Sequence, residues 1–71
     1  MHLHLYRFHF LDVTGTVTGR HSVRLSTDDA AINAGRRMLE NRSQDNAVQI
    51  WHRNRLVRYE SRPKGAAVSW P

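Results

Sequence analysis

The chain has 71 residues, a formal net charge of +5 and no cysteine. That length makes one domain near the lower size limit for folding unaided. Neither a disulfide nor a thiolate zinc site can add stability, so a lean core or self-association must supply it. The opening run MHLHLYRFHFLD alternates apolar and polar residues instead of running apolar throughout. It fails the pattern of a signal peptide and of a membrane span, and a cytoplasmic protein with no membrane partner is expected. All but one of the eleven basic residues are arginine, Lys64 being the exception. Arginine suits phosphate better than lysine does, yet arginine-favouring codons of a GC-rich genome explain the bias slightly better. Convergence of the arginines on one surface would favour an anionic partner.

The first strand places Tyr6, Phe8 and Phe10 on one phase and Leu5, Arg7, His9 and Leu11 on the other. Thr14-Gly15 fits a two-residue turn, with glycine tolerating positive φ. TVTGRHSVRL then alternates again, with Val17, Val23 and Leu25 in phase. Across this hairpin Phe8 faces His21, Tyr6 faces Val23 and Phe10 faces Gly19, so the apolar phases share a face.

STDDAAINAGRRMLENRSQ changes period. Ser26 or Thr27, followed by Asp28 and Asp29, starts a helix with acids at the positive end of its dipole. Ala30, Ala31, Ala34, Gly35, Met38 and Leu39 form its apolar stripe. The small residues would let the helix lie close to a sheet that carries large aromatics. NRSQDN ends it.

AVQIWHRNRLVRYE reads as a second hairpin, turning at Arg53-Asn54 or Asn54-Arg55. Either turn puts Val48, Ile50, Val57 and Tyr59 toward the helix, and Gln49, Trp51, Leu56 and Arg58 on the opposite face. The fold class is α+β: ββαββ, a four-stranded, mostly antiparallel sheet with one helix on one face. The domain spans residues 1–60, and 61–71 form a loose tail with Trp70 its only anchor. The expected core is Tyr6, Phe8, Phe10, Val23, Leu25, Met38, Leu39, Val48, Ile50 and Val57.

The phases pointing away from the helix collect Arg7, His9 and Leu11, then Thr18, Arg20, Ser22 and Arg24, then Gln49, Trp51, Arg53, Leu56 and Arg58. No acid appears among them before Glu60. A bare sheet face with a tryptophan is rarely left in water. Self-association or another protein contact through Leu11, Trp51 and Leu56 ranks first, since tryptophan and arginine favour interface centres. An unpaired edge, taken to be the first strand, offers a second route to sheet joining. Nucleic-acid binding through Arg7, Arg20, Arg24, Trp51, Arg53 and Arg58 ranks second, because single-strand modules carry two or three aromatics and this face has one.

Other chemistry is sparse. His2 and His4 have the i, i+2 spacing that brackets a metal, with the Met1 amino group as a third nitrogen, but no cysteine or carboxylate completes a set. No metal site and no cofactor is expected. His21 reads as a partly buried core residue with no nucleophile beside it. Asp28 and Asp29 read as capping residues, and Gly15 and Gly19 precede no helix that would cradle a phosphate. No catalytic constellation emerges.

YRFHFLD at residues 6–12, the helix start TDDAA and the later IW resemble small uncharacterised alphaproteobacterial proteins of about this length. The resemblance covers residues 5–60. It implies the same ββαββ order and a cytoplasmic location, and it brings no activity, cofactor or catalytic residue.

Overall fold

The computed structural model describes residues 2–62. Strands β1 (His4–Leu11) and β2 (Val17–Leu25) precede helix α1 (Asp28–Glu40), and β3 (Ala47–His52) and β4 (Arg55–Ser61) follow it. The four strands form one antiparallel sheet in the order β2-β1-β3-β4. The first strand is therefore central, contrary to the expectation that it is an edge, and β2 and β4 are the edges. Its alternating aromatics explain the placement. Tyr6, Phe8 and Phe10 are all buried and form the core with Ala31, Leu39, Val48 and Ile50.

The pairs Tyr6–Val23, Phe8–His21 and Phe10–Gly19 form as the alternation predicts, but the turn that makes them is longer. The Gly15 N–H donates to the Asp12 carbonyl and the Asp12 N–H to the Thr16 carbonyl, both at 3.0 Å. Gly15 has φ of +86°, so the loop is Val13-Thr14-Gly15, a type I turn followed by a left-handed glycine. The Asp12 carboxylate accepts the Thr14 hydroxyl at 2.6 Å and the Thr14 and Thr16 amides at 2.9 and 3.1 Å. These bonds, that from the Thr14 side chain foremost, hold its carboxyl below the usual range. A bulge at Thr18 absorbs the extra loop residue: Leu11 pairs with Val17, and Phe10 with Gly19. Val17 thus shares Leu11's face instead of the helix-facing one. Thr18 leaves the open face, and its hydroxyl donates to Asp45 Oδ1 at 2.6 Å.

A second bulge lies in β4. The hairpin turns at Arg53-Asn54, with Arg53 at φ 59°, and Trp51 pairs with Leu56. Ile50 then pairs with Arg58, which leaves Val57 as the extra residue. Beyond it the phase inverts: Gln49 pairs with Tyr59 and Val48 with Glu60. Arg58 and Glu60 therefore lie on the helix side and Tyr59 on the other, the reverse of plain alternation. Glu60 accepts from Arg36 of α1 at 3.2 Å and from Arg58 at 2.7 Å. Val57 packs against the core as expected.

Helix α1 starts at the cap Thr27, whose hydroxyl accepts the Ala30 N–H at 3.1 Å. It lies mainly over β3 and β4, so His21 on β2 is exposed instead of partly buried. The helix comes close because residue 35 has no side chain. A Cβ there would sit 2.8 Å from Ile50 Cδ1 and 3.4 Å from Phe8 Cε2. At the other end the Arg62 guanidinium donates to the Leu39 carbonyl, to the Arg42 carbonyl at 2.6 Å and to the Asp45 carbonyl at 2.7 Å. It is a second donor to the Leu39 carbonyl, which also accepts the Arg42 N–H at 3.0 Å, and it ties the last turn of the helix to the loop that follows. Strand β4 thus runs to Ser61 and Arg62 packs on the helix end, and Trp70 lies outside the described residues.

Asp45, only 2% exposed, joins these parts. It pairs with Arg42, whose guanidinium lies 4.3 Å from the Phe10 ring centroid, over Gly19. Hydrogen bonds from Thr18 and then Arg42 pull its carboxyl below the usual range against the opposing effect of burial.

Two sets of substitutions test this packing. Gly35→Ala gains about 1 kcal/mol of helix propensity but overpacks a filled core, which costs ~1–3 kcal/mol, so a lower Tm is expected. Ile50→Val removes the clashing methyl, and the double variant should be less destabilised than the sum of the singles in a urea cycle. Asp45→Ala should cost about 3 kcal/mol, near the low end for a broken buried pair, because Arg42 keeps 38% of its side chain in water. Since the Asp45 folded-state pKa is depressed, this stability is full above the unfolded value of 3.8. It is lost as pH falls through the lower folded value, so parent and variant should converge in acid unfolding.

Candidate nucleic-acid interface

The face away from α1 is built in rows across the sheet, because residues paired across strands share a side. One row runs Leu56, Trp51, Arg7, Ser22 from β4 to β2. The next runs Tyr59, Gln49, His9, Arg20. Leu5 pairs with Arg24 at one end, and Leu11 with Val17 and Ala47 at the other.

Of the expected site residues, Arg7, Arg20, Arg24, Trp51 and Leu56 come together here. Arg53 occupies the β3–β4 turn at its margin, where its carbonyl accepts a bond from Arg7 Nη2 at 2.5 Å. Two expectations fail. Arg58 belongs to the helix side, moved there by the β4 bulge. Leu11 is 6% exposed, covered within its own chain, and offers nothing to a partner. One residue was missed: Tyr59, 52% exposed, stands beside Leu56 at 44%. Plain alternation in RLVRYES hides it, and the only signal was Glu60, an acid that needs the cation Arg36 supplies from the helix.

Trp51 is partly buried, with its Nε1–H directed to Gln49 Oε1 at 3.3 Å and the His9 ring centroid 6.5 Å from its own. Burial first, then the Arg20 and Arg7 charges, pushes the His9 imidazole below its ordinary pKa.

Charge is sorted between the two sides. The ion pairs among the described residues are Arg36–Glu60, Arg58–Glu60, Arg55–Asp28 and Arg42–Asp45. All lie on the helix side or at its ends. Asp12 is tied into its own loop, and Asp29 and Glu40 are on α1. None of the six acids of the chain reaches the open face. Arg7, Arg20, Arg24 and Arg53 make no ion pair among the described residues.

His4, His52 and the buried Tyr6 form a separate cluster. The His4 ring lies 5.0 Å from His52, which lies 5.1 Å from Tyr6. The Tyr6 hydroxyl donates to Asp28 at 2.7 Å. Burial and then that carboxylate push the Tyr6 pKa up to about 12. His4 thus meets His52 instead of pairing with His2, and Met1 is outside the described residues. Among the described residues no three histidine, aspartate or glutamate side chains gather as a metal site would need, and no helix is long and apolar enough to cross a membrane.

No protein-family model, no curated protein and no solved structure matches the chain.

The His9 environment gives a direct check. Its imidazole should titrate below 6.5 by NMR, and Arg20→Gln should move it upward. Because the folded-state pKa is depressed, the stability it contributes is full above the unfolded value and declines as pH falls through the folded one.

Proposed function

We propose that this is a cytoplasmic nucleic-acid-binding module that works through the open sheet face. The observation that carries the reading is the sorting of charge: arginines without carboxylate partners on one side, ion pairs and acids on the other. Counter-ions released from a phosphate backbone would supply the driving force.

The same observation weighs against self-association, the stronger reading of the sequence alone. That reading needed Leu11, Trp51 and Leu56 as one apolar cluster, and Leu11 is already buried in its own chain. Packing two such faces together would bring unpaired guanidinium groups from both copies into one interface without an acid between them, and like charges set together there repel.

The test is the salt dependence of binding to a labelled oligonucleotide. About three phosphate contacts predict a slope of log K on log salt near −2 for a single strand. Arg7→Gln, Arg20→Gln and Arg24→Gln should each reduce that slope by about 0.7. Arg36→Gln, on the helix, should leave it unchanged. A slope of zero, or equal effects from both sides of the sheet, overturns the reading.

A further inference from the structure

We infer that the open face holds an unpaired polynucleotide strand, with bases on the β3–β4 half and backbone along the β1–β2 half. This rests on the nucleic-acid reading above and narrows it to a class of ligand.

The face is divided lengthwise. Trp51, Leu56 and Tyr59 occupy β3 and β4, and Arg7, Arg20 and Arg24 occupy β1 and β2. The second row crosses the sheet as aromatic, amide, imidazole and guanidinium: Tyr59, Gln49, His9, Arg20. A single strand laid along the division meets each part with matching chemistry. Its base faces are apolar and stack, its sugar is neutral and hydrogen-bonding, and its phosphate is anionic. Neighbouring strands are about 4.8 Å apart, so the cationic half begins one strand over from Trp51, and the length of arginine spans the rest.

Trp51 and Tyr59 are diagonal neighbours on adjacent strands, which puts their backbones roughly 7–8 Å apart. That spacing gives two bases a ring each instead of one base both rings. Because Trp51 directs its only polar atom to Gln49, the indole needs no ligand hydrogen bond and acts through its ring. A duplex keeps its base faces stacked inside and would use the arginines alone. Stacking tolerates any base, so weak sequence preference follows.

The experiment uses the full chain with Trp70→Phe, which leaves Trp51 as its one indole. The probes are a short oligouridylate, its duplex with oligoadenylate, and inorganic polyphosphate as a charge-only competitor. The expected result is quenching of Trp51 fluorescence by the single strand, with tighter binding than to the duplex at the same salt. Tyr59→Ala should weaken single-strand binding about five- to a hundredfold, leave polyphosphate affinity unchanged, and keep the salt slope. Tyr59→Phe should restore it. Tyr59 is half-exposed, so its variants keep the fold, and a matching Tm verifies that. Equal affinity for single strand and duplex, with Tyr59→Ala silent while the arginine variants still weaken binding, overturns this inference and leaves the nucleic-acid reading standing. Binding to none of the probes, or a concentration-dependent dimer that buries Trp51, overturns both.

Discussion

Tyr6, Phe8 and Phe10, on alternate positions of a central strand, must leave water together, and among the described residues a single helix covers them. All three are buried. Such side chains each contribute ~1.5–3 kcal/mol on burial, a large share of what a domain this small can muster. The need for a close lid explains the alanines of α1 and the bare Cα of Gly35 against Ile50. It also means that no helix among the described residues covers the far side of the sheet, so most of what stands there answers to solvent or to a ligand.

The elements, the strand pairing around Phe8 and all ten expected core positions could be read from residue periodicity, because burial on one face leaves a period that survives in the order of residues. The bulges could not. In β4, Leu56, Val57 and Tyr59 satisfy simple alternation as well as they satisfy the observed pairing, and the inserted residue swaps Arg58 with Tyr59. The first loop did carry a signal, since Asp12 and Gly15 stand at the first and fourth positions that a type I turn favours. The burial of Leu11 was beyond sequence reasoning, because simple alternation does not reveal the Thr18 bulge that pairs it with Val17.

The two bulges have unlike consequences. That at Thr18 serves the framework: it brings a hydroxyl to Asp45, which with Arg42 and Arg62 ties β2, the helix end and the last strand together. That in β4 serves the surface, exchanging a cation for an aromatic on the open face. It sends Arg58 to Glu60, already held by Arg36. Acids are thereby consumed where they support the fold, and the face left over is cationic and partly aromatic.

The place of β1 bears on how the protein is made. It is synthesised before its partners in the sheet, and one of its two neighbours, β3, emerges only after the whole helix. At about 5–20 residues per second, the aromatic strand spends seconds beside β2 alone, and a lone hairpin is marginal in water. Only β2 and the helix hold it until β3 and β4 arrive and Arg62 closes over the helix end. A chain stalled before β3 would expose both the aromatic face and an open strand edge, the features that recruit chaperones or other stalled copies.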